Sequence, residues 1–341
     1  MKTVPPGIND HTVHAIESPL VLENVSVAYS VDGRDALAVS HVNLTINRGE
    51  IVGLLGESGS GKSTLAFAVM RLLQGGARLV EGKVLVLGQN IYDMKPEVLR
   101  RFRWSCVAMV FQSAMNALNP VLTVEQHMED TLRSHDPTLD PRRIRDRVNE
   151  VLDLVNIDRQ RAKSFPHELS GGMKQRVVLA IAMLLSPPVL LMDEPTTALD
   201  VVVQRAILDQ VRAIQKERQM AILLVSHDFS LVRSIAHRTA IMYAGRLVEI
   251  TDRLHPADPH HPYTEGLMRA IPELKSFGVS IDGIPGSPPD LLQLPSGCAF
   301  HPRCHDAFRA CALSRPAASR VGHSVIECHK FTMHTEEPSG V

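Results

Sequence analysis

The sequence predicts an α/β fold, and three patterns along the chain carry that prediction. An apolar strand, EIVGLLG, leads directly into a glycine-rich loop and a helix, GKSTLAFAVMRLL. After residue 188, short apolar segments alternate with helical ones, as they do where helices cover both faces of a parallel sheet. Between residues 19 and 46 the apolar positions alternate instead, which is typical of half-buried antiparallel strands.

Composition and charge exclude several classes of protein. Lys and Arg number 36 against 37 Asp and Glu, so no nucleic-acid partner is expected, because nucleic-acid surfaces carry a clustered basic excess. The N-terminus has no apolar core of the kind found in secretory signals. The longest apolar stretch, VVLAIAMLL, has nine residues, whereas a membrane-spanning helix needs about 20. We therefore expect a cytosolic chain that acts at a membrane only through a partner.

The chain divides by composition into three parts. Residues 1–18 form an N-terminal tail, 19–255 the main α/β domain, and 256–341 a C-terminal extension. Helical periodicity with charge on one face over about 118–185 predicts a helical subdomain inserted into the α/β fold. Prolines are dense over 272–303, so we expect a separate appendage with little regular structure there.

The segment GESGSGKST is a complete G-x-x-x-x-G-K-[ST] motif, in the strand–loop–helix context typical of P-loop NTPases. Its backbone N–H groups are expected to surround the phosphates of a nucleotide. Lys62 is predicted to reach the β- and γ-phosphates, and the Ser63 hydroxyl to bind Mg²⁺. The predicted ATP-binding residues are Gly56, Glu57, Ser58, Gly59, Ser60, Gly61, Lys62, Ser63 and Thr64.

Polar side chains at the ends of three other apolar strands complete a predicted catalytic site with Lys62. Asp193 and Glu194 follow PVLLM; Asp193 is expected to hold the Mg²⁺ shell, and Glu194 to accept a proton from the attacking water. His227 follows AILLVS and would hydrogen-bond the γ-phosphate. Gln112 follows CVAMVF and would contact Mg²⁺ or water. Each of these residues alone would indicate an ordinary strand end.

The motifs in their order, namely the phosphate loop, FQ, LSGGMKQR, LLMDEP, TALD and SHD, resemble the ATP-binding subunit of an ABC transporter. The resemblance covers about residues 21–250 and implies a head-to-tail dimer with two ATP molecules at its interface. It also implies that Ser170, Gly171 and Gly172 contact the γ-phosphate of the ATP that the partner subunit binds. The simpler alternative is that Ser170 caps a helix, and both can hold at once.

Two further roles follow from the same resemblance. Asp200, in TALD, lies where the family lets its two subunits communicate, and Tyr29 lies where an aromatic ring stacks on adenine. The segments FQSAMNALNPVLTV, HHPYTEGLMRAIP and GCAFHPRC are similar to the dipeptide, oligopeptide and nickel importers. That branch implies a homologous ATPase subunit as partner, two transmembrane permease subunits and an extracytoplasmic substrate-binding protein. It also implies a place at the cytoplasmic face of the inner membrane.

Four of the five cysteines, Cys298, Cys304, Cys311 and Cys328, lie in the C-terminal extension. Their spacing, C-x5-C-x6-C-x16-C, is neither that of zinc ribbons nor that of ferredoxins. Because some members of the peptide-importer branch carry an iron–sulfur cluster here, the resemblance favours a [4Fe–4S] cluster. Zn²⁺ is the alternative, with a histidine replacing one cysteine (His301, His305, His323 or His329), and free thiols are the third possibility.

Our hypothesis from the sequence is the ATP-hydrolysing subunit of a bacterial ABC importer for dipeptides or oligopeptides. One alternative keeps the transporter and changes the cargo to nickel, haem or another solute, since the ATPase does not touch the cargo. The other alternative is a soluble ABC ATPase of translation or DNA repair. Those proteins often carry two cassettes or a long coiled coil, and this chain has one cassette and no sustained heptads.

Overall fold

The computed structural model describes residues 16–31, 33–112, 114–196, 199–252, 254–270 and 283–332. The chain divides into two compact units, each assembled from three separate stretches of sequence. The first unit comprises Met1–Val21, Thr45–Ile51 and Val84–Leu224, and the second comprises Leu22–Leu44, Val52–Lys83 and Val225–Val341. Neither unit can form until distant parts of the chain have come together, so both depend on non-local contacts.

The regular elements alternate along the chain much as the hydrophobic pattern predicts. The strands are β1 (Leu20–Val31), β2 (Arg34–Ile46), β3 (Ile51–Leu55), β4 (Ala77–Val86), β5 (Gln89–Asn90), β6 (Val107–Val110), β7 (Val189–Asp193), β8 (Ala221–Val225), β9 (Arg238–Tyr243), β10 (Arg246–Thr251), β11 (Ala318–Val321) and β12 (Ser324–Glu327). The helices are α1 (Lys62–Val69), α2 (Pro96–Ser105), α3 (Val124–His135), α4 (Pro141–Leu154), α5 (Gly171–Met183), α6 (Val201–Arg218), α7 (Phe229–Ile235), α8 (Pro262–Arg269), α9 (Arg309–Leu313) and α10 (His329–Thr332). Within the described ranges, no helix combines the length and the hydrophobicity that a membrane crossing requires.

The sheet of the first unit is parallel where its register is defined. Strands β6 and β7 run in parallel, with Val107 opposite Val189 and Val110 opposite Met192, and β8 lies on the other side of β7. Every residue of β7 is buried. A continuous apolar run of this kind is what a strand covered on both faces requires. The carboxyl ends of β6 and β7 therefore meet at one edge of the sheet.

Three helices of the first unit, α3, α4 and α5, fall within the segment predicted to be a helical subdomain. α3 begins at Thr123, whose hydroxyl accepts a hydrogen bond from the Gln126 N–H, while the Gln126 side chain accepts one from the Thr123 N–H. α4 begins after Asp140, whose carboxylate accepts a hydrogen bond from the Arg142 N–H. These caps satisfy N–H groups that have no partner inside a helix. The limits of the subdomain, 118–185, stay a prediction, as do those of the three domains.

In the second unit, β3 and β9 run in parallel, with Val52 opposite Arg238 and Leu55 opposite Ile241. β10 pairs with the other edge of β9 and is antiparallel to it. Strands β1 and β2 belong to a second sheet, in which β1 lies between β2 and β4. The antiparallel edge of an otherwise parallel sheet is common in α/β folds.

Two strands of the C-terminal extension, β11 and β12, join the sheet that contains β9 and β10. The extension is therefore not the separate appendage that was expected. β12 pairs antiparallel with β10, with Glu249 opposite Ile326, and β11 follows β12 at the edge. The Ile326 side chain is fully buried. An exposed β10 would leave a row of unpaired backbone groups, and the extension covers that edge. Little regular structure was expected over 272–303. Residues 283–300 carry no helix or strand, a short 3₁₀ helix spans His301–Arg303, and residues 271–282 lie outside the described part of the chain.

Replacing Ile326 with alanine is expected to lower the free energy of unfolding by about 2–5 kcal/mol, because a buried side chain is removed and a cavity remains. The neighbouring Val325 is only half buried, so Val325→Ala is the matched control and should cost less. Urea denaturation followed by circular dichroism measures both. If the two variants lose equal stability, the extension does not contribute to the core through Ile326.

Candidate functional site

The phosphate loop connects β3 to α1 in the second unit, and a glycine fixes its shape. Gly61 precedes α1 with a φ of 104°, a conformation that side chains disfavour. A Cβ atom at this position would lie 2.1 Å from the Ala38 carbonyl oxygen, so the backbones can approach only if the residue is glycine. Among the described residues no side chain caps the start of α1. An uncapped helix N-terminus is a favourable place for an anion.

Lys62 extends across the loop that it follows. Its Nζ atom donates hydrogen bonds to the carbonyl oxygens of Gly56 and Glu57, both at 2.8 Å, and lies 3.4 Å from the Ser60 hydroxyl. The side chain is buried, so these oxygens supply much of the solvation that water would otherwise give the ammonium. A phosphate group could accept hydrogen bonds from the same ammonium.

Tyr29, the residue expected to stack on adenine, lies beside the end of the loop. Its hydroxyl is 3.3 Å from the Thr64 Oγ1 atom. The ring is half buried, which leaves part of it accessible. The geometry agrees with a nucleotide-facing position, and the stacking itself stays a prediction.

Glu57 has contacts that the sequence did not reveal. Its backbone N–H donates to the Tyr263 hydroxyl at 2.8 Å, and its carboxylate forms two hydrogen bonds with the Arg303 guanidinium, at 2.7 and 2.9 Å. The pKa of Arg303 is raised because its side chain is bonded to Glu57, and burial raises the pKa of Tyr263. Both residues come from segments noted only as marks of the importer branch, HPYT and HPR. The sequence could not predict that they lie beside the loop, because each is about 200 residues or more from Glu57 along the chain.

In the first unit, the side chains of Gln112 and Glu194 lie within hydrogen-bonding distance of each other. Asp193 is the last residue of β7 and is buried, and Glu194 follows it with a φ of 45°. The Gln112 Nε2 atom donates a hydrogen bond to Glu194 Oε2 at 3.0 Å. Gln112 follows β6 and Glu194 follows β7, so the parallel pairing of these two strands brings the side chains together.

His227 belongs to the second unit, where it follows β8. The preceding Ser226 donates its N–H to the Leu54 carbonyl of β3 at 3.1 Å, and Asp228 caps α7 by accepting from the Leu231 N–H. The backbone on both sides of His227 is therefore held, while its side chain is exposed. The structure thus assigns the phosphate loop and His227 to the second unit, and Gln112, Asp193 and Glu194 to the first. Their joint action on one nucleotide stays a prediction.

Ser170 caps α5, which agrees with the simpler of its two predicted roles. Its hydroxyl accepts a hydrogen bond from the Met173 N–H at 3.3 Å. The two glycines that follow lie close to the beginning of α6. A Cβ atom on Gly172 would lie 2.7 Å from Val203 Cγ1, and one on Gly171 would lie 3.3 Å from Leu199 Cδ2. The contact of this segment with the partner's nucleotide stays a prediction.

Asp200 begins α6 in a similar way. Its carboxylate accepts hydrogen bonds from the N–H groups of Val202 and Val203, at 3.1 and 3.0 Å. Val201 and Val202 are each 79% exposed, which is unusual for apolar side chains. Thr197 and Ala198, the first residues of the TALD motif, lie outside the described residues.

The four C-terminal cysteines line one cavity in the second unit, together with His301, His329 and the rings of Phe300 and Phe308. All four are free thiols. The Cys298 N–H donates to the Cys311 carbonyl at 2.8 Å, and Gly297 permits this approach because a Cβ there would lie 2.3 Å from the same carbonyl oxygen. Burial raises the pKa of Cys304 and of Cys328 to about 11. A metal would have to displace their protons.

The other predicted ligands lie elsewhere. His305 is 3.4 Å from an Asp306 carboxylate oxygen, and His323 lies in the turn between β11 and β12. Within the described part of the chain, no group of three or more His, Cys, Asp or Glu residues is arranged as it would be around a bound metal ion. Cys106, the fifth cysteine, lies between the end of α2 and the start of β6 and is buried.

Comparisons with known proteins agree with the motifs. The family described as ABC transporter matches residues 39–197, and the family described as oligopeptide/dipeptide transporter, C-terminal region, matches residues 249–311. The chain is 40% identical to a putative peptide import ATP-binding protein of Brucella ovis, over 92% of this chain and 97% of the relative. It is 36% identical to the dipeptide transport ATP-binding protein DppD of Caldanaerobacter subterraneus, over 91% and 96%.

A solved dimeric structure of MJ0796, a bacterial ABC transporter cassette, shares the fold with a TM-score of 0.59 and 29% identity, covering 67% of this chain and 96% of that one. The fold and the motifs thus define an ATPase of the P-loop class with the ABC arrangement. The chain belongs to the family of ABC transporter ATP-binding proteins, in the branch that carries the oligopeptide/dipeptide C-terminal region. The predicted fold class is confirmed.

Gly172→Ala is expected to lower the free energy of unfolding by about 1–3 kcal/mol, because the added methyl group collides with Val203. Gly171→Ala, one residue earlier on the same helix turn, is the matched control and should cost less. In a Val203→Ala background the collision is absent, so Gly172→Ala should lose most of its effect. Equal costs with and without Val203 would exclude packing against α6 as the reason for glycine at this position.

Proposed function

We propose that this chain hydrolyses ATP to drive the import of short peptides across a bacterial membrane. The observation that carries the proposal is the similarity over nearly the whole length of relatives named for peptide import and dipeptide transport, including the C-terminal region. The ATP motifs support it, since none of their expected side chains is replaced. Nickel, haem or another solute remains the alternative cargo.

The phosphate loop is proposed to bind the nucleotide. Lys62 would exchange its hydrogen bonds with loop carbonyls for hydrogen bonds with the β- and γ-phosphates. Ser63, Gln112 and Asp193 would hold Mg²⁺; they offer the hydroxyl, amide and carboxylate oxygens that this ion prefers. When bound, the ion would neutralise phosphate charge. Tyr29 would stack on the adenine.

Glu194 is proposed as the general base. Its carboxylate would accept a proton from the attacking water, and the hydrogen bond from Gln112 to Oε2 would orient it. His227 would hydrogen-bond the γ-phosphate and help to position the water. Catalysis would then depend on orientation and charge rather than on a covalent intermediate.

The segment from Ser170 to Gly172, together with Asp200, is proposed to act on the ATP held by a homologous ATPase subunit. The uncommon exposure of Val201 and Val202 beside Asp200 supports a subunit surface here. One similar cassette, MJ0796, has been solved as a dimer in two structures. ATP would stabilise the closed dimer, and hydrolysis would release it.

The remaining partners follow from an importer role. We propose two transmembrane permease subunits, an extracytoplasmic substrate-binding protein and a peripheral position at the cytoplasmic face of the inner membrane. The homologous ATPase subunit would be a different chain, giving a heterodimer.

Glu194→Gln is expected to lower ATP turnover by about 10²–10⁴-fold and to leave ATP binding intact, because the amide keeps the shape but cannot accept the proton. The measurements are phosphate release and peptide uptake by the importer reconstituted in proteoliposomes. Glu217→Gln, an exposed carboxylate on α6, is the control and should change neither. Normal turnover in Glu194→Gln would remove Glu194 from the role of base. Uptake of nickel or haem in place of peptide would show that the proposed cargo is wrong.

The four cysteines are proposed to hold a [4Fe–4S] cluster, with Zn²⁺ as the alternative. All four line one cavity, and four thiolates are a ligand set that both groups accept. Binding would require the thiols to turn towards a common centre, since within the described residues no three of them are arranged around one. The apolar rings beside them would shield the site from water. Such a group would link α9, which contains Cys311, to the end of β12, which Cys328 follows.

Metal analysis of the anaerobically purified chain is expected to give about four iron and four sulfide per chain. Cys304→Ser should lower both, whereas Cys106→Ser, at a buried cysteine outside the cavity, should change neither. One zinc per chain without sulfide would show that the cysteines bind Zn²⁺ instead of an iron–sulfur cluster. A chain without either metal would leave the cysteines as free thiols.

A further inference from the structure

We infer that Arg303 and Tyr263 of the C-terminal extension are positioning residues for the phosphate loop, and that they act through Glu57. The inference rests on the proposed ATPase function and assigns the extension a part in binding ATP. Neither residue belongs to a nucleotide-binding motif.

Every polar group of Glu57 is engaged within the second unit. The carboxylate accepts two hydrogen bonds from Arg303, at 2.7 and 2.9 Å, in the paired geometry that is strongest for arginine and carboxylate. The backbone N–H donates to the Tyr263 hydroxyl at 2.8 Å, and the carbonyl accepts from Lys62 at 2.8 Å. Two of these three anchors come from the extension.

Arg303 is itself held firmly. Its Nε atom donates to the Pro285 carbonyl at 2.7 Å, and its guanidinium carbon lies 5.8 Å from the centre of the Tyr243 ring and 6.0 Å from that of Phe300. The Arg303 side chain is only 6% exposed, against 26% for Glu57. A charge buried this far is costly without its partner, so Arg303 is expected to keep the loop close.

Tyr263 supports the loop from the same side. It is fully buried, and its ring packs against Tyr243 and Phe300, with centroids 4.7 and 5.4 Å away. A hydroxyl on a ring with so little freedom is a fixed acceptor for the Glu57 N–H. The loop therefore meets a rigid aromatic cluster rather than a mobile side chain.

The anchoring of Glu57 also affects Lys62, because the Lys62 ammonium donates hydrogen bonds to the carbonyls of Gly56 and Glu57. When Glu57 loses its anchors, the oxygens that hold this ammonium move with it. We expect weaker ATP binding, because the loop must then be ordered at the expense of binding free energy. Turnover at saturating ATP should change little, because the phosphates of bound ATP then hold the Lys62 ammonium in place and because Gln112 and Glu194 have no part in these bonds.

A second paired Arg–Glu contact provides a matched control. Arg246 on β10 donates to Glu327 on β12, at 3.2 and 3.1 Å, with both side chains about a quarter exposed. This pair also joins the extension to the rest of the unit, and it does not involve Glu57. Its removal tests whether general attachment of the extension is enough to explain an effect.

The test compares the full-length variants Arg303→Met, Tyr263→Phe and Arg246→Met with the wild-type protein. ATP affinity is measured by titration with Mg·ATP, and KM and kcat are measured with the reconstituted importer. Arg303→Met should weaken binding and raise KM about tenfold, the usual scale for a hydrogen bond to a charged group, with kcat nearly unchanged. Tyr263→Phe, which removes a single oxygen and keeps the ring, should act in the same direction. Arg246→Met should leave both constants unchanged.

The Glu57→Gln variant and the double variant with Arg303→Met test whether Arg303 acts on ATP affinity through Glu57 or through other contacts. If the two residues act together, the double variant binds ATP no worse than Arg303→Met alone. Unchanged affinity in Arg303→Met and Tyr263→Phe, or an equal loss in Arg246→Met, would overturn the inference. A wild-type protein that does not bind ATP would instead contradict the proposed function.

Discussion

The buried ammonium of Lys62 is the constraint on which the phosphate loop depends. An ammonium removed from water needs oxygen atoms around it, and the loop supplies two of its own carbonyls. Those carbonyls can point at Lys62 only because the loop is tightly bent, and Gly61 makes that bend possible. The charge proposed to contact a phosphate is therefore held in place by the backbone around it.

Much of the site could be predicted from the sequence, because its chemistry lies in short segments at strand ends. Gln112 and Glu194 were both expected at strand ends, and the carboxyl ends of parallel strands share one edge of a sheet. The same rule could not reveal the contact between Glu57 and Arg303, which are 246 residues apart and lie on no pair of parallel strands. Periodicity also missed the pairing of β12 with β10, because a strand of only four residues, such as β12, gives little pattern from which to predict it.

Several motif residues have a packing role as well as a proposed chemical one. Gly172 faces Val203 at a distance that leaves no room for a methyl group, and Ser170 and Asp200 each cap the helix that follows. These contacts fix the positions of α5 and α6 in the first unit before any nucleotide or partner is present. A substitution here that weakens activity therefore needs a stability measurement beside it.

The segment from Cys298 to Cys304 connects the cysteine cavity to the phosphate loop, because Arg303 immediately precedes Cys304. Contacts within the protein hold this segment: the Cys298 N–H bonds the Cys311 carbonyl, and Phe300 packs against the tyrosine cluster. These contacts also fix Arg303, and a metal bound by the cysteines would add a further constraint on the same segment. A metal at the cavity would then stabilise this segment most when heat or a substitution weakens its protein contacts. If Arg303 left its position, the phosphate loop would lose one of its anchors. In this sense the C-terminal extension is a part of the proposed nucleotide site, because its Arg303 binds the Glu57 carboxylate of the phosphate loop.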